Sequence, residues 1–141
     1  MKRKLLSVFL FGLLVFGIFA MPASAISARA SDQLAQYCSY LVSGDSSGKI
    51  GIVFSVSGTD RMKKIGAKEI KIYKQSSNGW TWVKTIDSNV EGMCETNTFF
   101  HANTMYYTGI SGEYYRVDVT IFAEDAAGSD SRTETHYITA P

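Results

Sequence analysis

Proline is almost missing from this 141-residue chain: Pro22 and Pro141 are the only two, one near each end. Nothing between them removes a backbone donor from a β-ladder. Histidine is as scarce, with His101 and His136 alone, which excludes His-rich metal sites. Cys38 and Cys94 are the only cysteines, and their spacing excludes the CxxC redox motif. No amphipathic helical pattern, internal repeat or low-complexity tract is present. No dense basic stripe is present either. The closest approach, Arg61, Lys63, Lys64 and Lys68, reads as a solvated turn.

What is present begins with a basic start, Lys2-Arg3-Lys4, and a 16-residue apolar and small-residue run, Leu5 to Ala20. Pro22 and Ala23-Ser24-Ala25 follow, with the small side chains a signal peptidase accepts. The run is short for a membrane span, which takes about 20 residues. Residues 1–25 are therefore expected to be a signal peptide, cleaved after Ala25, with "ARA" at Ala28–Ala30 as a second cut site. No Cys follows the run to carry a lipid, and "THYITAP" at the end has no apolar tail. The expected protein is secreted, with no stable membrane insertion after cleavage. Residues 26–36 read as a flexible lead-in and 37–139 as one folded domain, long enough for its own core. Removing Lys2, Arg3 and Lys4 leaves 11 basic against 13 acidic residues, a net charge of −2. Such a balance gives no pull toward nucleic acid or anionic lipid. In an exported chain, two thiols are expected to form one disulfide, Cys38–Cys94. Closing a loop of 56 positions would stabilise the fold by about 4 kcal/mol on the loop-entropy argument.

Beyond residue 36 short alternating runs alternate with Gly, Ser, Asn and Asp. Seven strands are expected: Tyr37–Val42, Ile50–Gly58, Ala67–Lys74, Trp80–Ile86, Thr96–Tyr107, Glu113–Glu124 and Arg132–Thr139. "TDRMKKIG" between the second and third reads as a loop, and Asn78-Gly79 as the tight turn of a hairpin. In "YYRVDVTIFAE" the alternation sends Tyr115, Val117, Val119, Ile121 and Ala123 inward and Tyr114, Arg116, Asp118, Thr120 and Phe122 outward. Ile50, Ile52, Phe54, Val56, Ile70 and Ile72 are likewise expected inside, and Tyr73 outside. Trp80 and Trp82 share one face, and one of them is expected as a core anchor. The pattern is that of an all-β, two-sheet antiparallel sandwich.

"YYRVDVTIFAEDAAGSDS" resembles the penultimate strand and last hairpin of fibronectin type III and immunoglobulin-like domains. "IKIYKQSSNGWTWVKTI" is similar to their central hairpin. The layout of signal peptide, "NGWTWV", "YYTGISGEYYRV" and "GSDSRTET" resembles small secreted proteins of Gram-positive bacteria from a family with no assigned function. The resemblance spans Tyr37 to Thr139 and implies the fold, with Tyr115 as a corner Tyr whose hydroxyl returns to nearby backbone. It implies no activity. The early core Trp of fibronectin type III is absent from "IGIVFSVSG", and the Cys pair is not a usual feature there.

Catalytic motifs fail on inspection. "GDSSGK" puts Ser47 where a Gly-Asp-Ser-Gly nucleophile motif needs Gly. As a phosphate loop, Gly44 and Gly48 are too close, and Ile50 stands where Ser or Thr belongs. Glu134 and His136 share a strand face but show no third metal ligand. No metal or other cofactor is expected. All eight Tyr and both Trp lie beyond residue 25, an excess for a core of this size. Tyr73, Trp80, Tyr114 and Phe122 are the expected outward aromatic strip, able to stack on sugar rings or dock a protein partner at the cell surface. The function this supports is a secreted, non-catalytic binding module. The alternative is a small secreted hydrolase, which a polar pocket with convergent carboxylates would indicate.

Overall fold

The computed structural model describes residues 33–141, and these are all-β. The expected signal peptide, residues 1–25, and residues 26–32 of the expected lead-in lie outside them. Six strands form one curled antiparallel sheet: β1 (Leu34–Ser43), β2 (Lys49–Ser76), β3 (Gly79–Asp87), β4 (Cys94–Thr108), β5 (Tyr114–Glu124) and β6 (Ser129–Thr139). β1 thus begins three residues before Tyr37.

The main departure from the expected strands is β2. Its 28 residues absorb both the second and third expected strands and the loop "TDRMKKIG" between them. The first part of β2 lies between β1 and β4, and the last part between β3 and β5. Lys64, Ile65 and Gly66 pair with β4 on one side and β5 on the other, so the strand changes partners there without ending. The loop assignment failed because the alternation slips twice. Ile50, Ile52, Phe54, Val56 and Met62 are buried at even positions, Ile65 and Ala67 at odd ones, and Ile70 and Ile72 at even ones again. The pairing shift between Ala67 and Glu69 marks the second slip, while the first, between Met62 and Ile65, follows the shift between Ser57 and Met62. One extra residue exchanges the faces of everything after it.

Both ends of β2 feed one apolar cluster, joined by Tyr115, Val117, Val119, Ile121 and Ala123 of β5. The inward set of β5 is as the alternation requires, with each member at most 1% exposed. Neither Trp is in that cluster. The β3 contribution is Ile86, because the β2–β3 register shifts between Ile72 and Tyr73, leaving Val83 unpaired. That bulge turns Trp80 and Trp82 outward while Ile86, of the same parity, points in. In the β2–β3 turn only Gly79 takes a positive φ (114°); Asn78 does not.

The Tyr115 hydroxyl does reach nearby backbone. The Ile110 backbone N–H donates to the Tyr115 hydroxyl at 2.9 Å, beneath the turn that opens β5. Tyr107 packs edge-on against the same ring, with centroids 5.7 Å apart. Burial, followed by the neighbouring Tyr115, raises the Tyr107 phenol above its ordinary value. Tyr115→Phe is expected to cost about 1–3 kcal/mol, because it leaves a part-buried N–H without its acceptor. The shift in urea midpoint measures this; an unchanged midpoint would show the hydroxyl to be dispensable.

The expected Cys38–Cys94 disulfide is not formed: both thiols are free. Cys38 is level with Ser55, which is level with Ala102, eight residues along β4 from Cys94. At about 3.3 Å per residue that separation is on the order of 26 Å, against a Cα reach of about 7 Å for a disulfide. The spacing in sequence was suitable; the register is not. Cys94 donates its thiol to the Ala67 carbonyl at 3.2 Å, and burial pushes its pKa up. A raised pKa means less thiolate at any pH below it, so iodoacetamide at pH 8 is expected to alkylate exposed Cys38 first and Cys94 slowly. A peptide linking Cys38 to Cys94 in the digest of the monomer would contradict this arrangement.

Candidate functional site

The outward residues of β3, β2, β5 and β6 make one continuous face. Register sets its composition: Trp82 stands opposite Tyr73, Tyr73 opposite Arg116, and Arg116 opposite Tyr137. Trp80 comes over this row from the start of β3. Its ring centroid is 5.8 Å from Tyr114 and 5.7 Å from Tyr137, and the two tyrosines stack at 6.1 Å with planes 17° apart. The Arg116 guanidinium lies 4.1 Å from the Tyr73 ring centre and 5.7 Å from that of Trp80. It donates to Asp118 at 3.2 Å, and Asp118 also accepts from the Thr135 hydroxyl at 2.9 Å. Trp82 donates its indole N–H to Thr85 at 3.0 Å. The cation is held in place from below by a carboxylate and from the sides by ring faces. Its Nε is buried without a hydrogen-bond partner among the described residues.

Of the expected strip, Tyr73, Trp80 and Tyr114 converge around Arg116. Phe122 does not join them. It is 7% exposed and lies further along β5, with the Lys64 ammonium 6.0 Å from its ring. Its cross-strand neighbours are Gly66 and Ser131, small residues that leave room for the ring to fold down. Tyr137 and Arg116 complete the cluster in its place. Tyr137 was not singled out by the sequence, and the β5–β6 register is what puts it beside Arg116. Tyr137 and Trp82 remain 52% and 59% exposed and Tyr114 38%, so the cluster presents open ring faces.

A second polar grouping lies where β1 passes the inner face of β6. The buried Ser39 hydroxyl is 2.5 Å from a Glu134 carboxylate oxygen and 2.7 Å from His136 Nε2. Glu134 and His136 do share a strand face, and Ser39 is what they share it with. The Ser39 hydroxyl donates to the carboxylate, and among the described residues no hydrogen bond joins Glu134 to the imidazole, an arrangement unlike the ordered relay of nucleophile, base and orienting acid. His101 is spent on the Gly92 carbonyl at 2.8 Å. Among the described residues no three of His, Cys, Asp or Glu gather as a metal site.

No protein-family model and no curated protein matches the chain.

Proposed function

We propose that this chain is a secreted, non-catalytic binding module whose ligand lies across the Trp80–Tyr114–Tyr137 cluster and the Arg116–Tyr73 pair. The observation that carries the reading is the pre-set guanidinium among open aromatic faces. Rings offer stacking area at low entropy cost, and a fixed cation adds direction without needing to be ordered on binding. Ligands that suit it are glycan chains, whose ring faces stack on Trp and Tyr, and protein partners with acidic or carbonyl groups to meet Arg116. Both occur at a cell surface, where the signal-peptide reading of residues 1–25 would deliver the chain, in keeping with the resemblance to small secreted proteins of Gram-positive bacteria.

The scaffold reading that goes with it is a fibronectin type III-like sandwich. Counting β2 as two strands gives seven, and its pairings then divide into β1, first β2 and β4 against β3, second β2, β5 and β6. The Tyr115 corner supports the same reading. A small secreted hydrolase is the competing reading, and Ser39 with Glu134 and His136 is the observation that favours it.

The test separates the two. The natively processed chain is immobilised and exposed in parallel to cell-envelope polysaccharide and to secreted protein. A triple variant, Tyr73→Ser, Trp80→Ser and Tyr114→Ser, is compared after its folding is verified. Retention is expected to fall at least about tenfold, the equivalent of about 1.4 kcal/mol. Unchanged retention would remove this face as the binding site. Labelling of Ser39 by a fluorophosphonate would favour the hydrolase instead.

A further inference from the structure

Four strands leave one edge without a backbone partner among the described residues: β1, β3 and β4 pair only with β2, and β6 only with β5. Three of the four carry charge. β3 has Lys84 and Asp87, β4 has Glu95, and β6 has Asp130, Arg132 and Glu134. Charges on an edge are what keeps sheets from pairing with one another. β1, "LAQYCSYLVS", has none over its ten residues. Its exposed side chains include Tyr37, Tyr40 and Val42. The rows beside it are built of uncharged residues, the nearest cation being Lys49 past the far end of β1, whose ammonium lies 4.5 Å from the Tyr106 ring centre. Outward from β1 across β2 to β4 the rows read Val42–Gly51–Tyr106, Tyr40–Val53–Thr104, Cys38–Ser55–Ala102 and Gln36–Ser57–Phe100.

We propose that β1 is a self-association edge, which pairs antiparallel with β1 of a second copy about a two-fold axis at Cys38. A two-fold contact brings each residue against its own symmetry mate's surroundings, so any charge near the axis would meet itself. Among the described residues β1 is the one free edge that avoids this. Cys38 lies at the middle of the strand, and pairing about it aligns residues 34 to 42 of both copies. Tyr40 of each copy then stands opposite Gln36 of the other, on the same outward face. Gln36 borders an open hollow of about 520 Å³ between Tyr37, Cys38, Ser57 and Phe100, which receives the incoming ring. The inward side of β1 stays engaged by Ser39 with β6 and does not interfere. The joined sheets would run β4–β2–β1–β1–β2–β4. One edge strand per copy is less than the surface a tight complex buries, so the dimer is weak and best read by trapping.

Cys38 supplies the trap. Residues directly opposite in an antiparallel pair have Cα atoms about 4.5 or 5.5 Å apart, and a disulfide spans about 4.4–6.8 Å. The natively processed chain at micromolar concentration is treated with oxidised glutathione. One Cys38 thiolate attacks the glutathione disulfide and expels one glutathione thiolate. The second copy's Cys38 thiolate then attacks the mixed disulfide and expels the other. Two protons and two electrons pass from the two thiols to the oxidant. The expected result is a covalent dimer on a non-reducing gel, mapped to a Cys38–Cys38 peptide. Tyr40→Lys is expected to slow dimer formation about tenfold by placing like charges on the pairing edge, while Cys38 alkylation keeps its wild-type rate. Val42→Lys is the second variant if the first is poorly folded. Accumulation of the glutathione mixed disulfide without dimer would overturn the proposal. So would dimer formation at the wild-type rate in the folded Lys variants, since that would be random collision.

Discussion

Gly66→Ala is expected to lose about 3–5 kcal/mol of stability, a large share of the 5–15 kcal/mol typical of a domain. Gly66 has φ 149°, a region L side chains rarely adopt, and a Cβ built there would sit 2.2 Å from the Met93 carbonyl oxygen. The obstacle is backbone, so no side-chain rotation relieves it. The Ala67 N–H donates to that same carbonyl at 2.8 Å, and moving it away breaks a bond at the point where β2 changes partners. Strained backbone contributes about 1–3 kcal/mol, and overpacking a comparable amount. Urea unfolding followed by tryptophan fluorescence measures the loss. A midpoint within error of wild type would mean that β2 bends elsewhere.

Ile72→Ala is expected to cost about 2–5 kcal/mol. Ile72 is fully buried between Val117 of β5 and the β3 edge. The removed carbons lose burial worth roughly 0.8 kcal/mol each, and the rigid walls around them keep part of the void open. The adjacent outward position provides the control: Tyr73→Ser on the same strand should cost less, chiefly its contact with Arg116. Equal losses at the two positions would mean that the inward and outward faces of β2 are misassigned.

The parts of the fold legible from sequence are those where alternation is uninterrupted. Tyr115, Val117, Val119, Ile121 and Ala123, Ile50 to Val56, and Ile70 with Ile72 all face the core as their spacing demands, Phe122 being the one buried departure within β5. The parts that were not legible sit at slips of phase. Lys68 and Val83 each add a residue that changes parity, and with them the continuity of β2 and the outward turn of both Trp residues. The candidate site shows the same boundary. Tyr73, Trp80 and Tyr114 were identifiable from their strands, whereas Tyr137 and Arg116 joined them through register, which no single strand encodes. Cys38 and Cys94 failed for that reason too: pairing depends on which strand levels coincide, not on how many residues intervene.

The continuity of β2 also governs how the domain opens. β1, β3, β4 and β5 all take their ladders from this one strand, with partners such as Lys49 and Thr108 or Lys64 and Glu124 far apart in the chain. Long loops must close before any of these contacts stabilises the fold, which places folding among the slow β-proteins. Once formed, the four ladders stand or fall together, so their amides should exchange with deuterium as one cooperative unit. β6 is outside that unit: its ladder runs to β5 alone, and Ser39 of β1 adds side-chain contacts to Glu134 and His136. Its release would break the β5 ladder and the Ser39 contacts, carry Tyr137 away from Trp80 and Tyr114, and leave the four ladders of β2 in place.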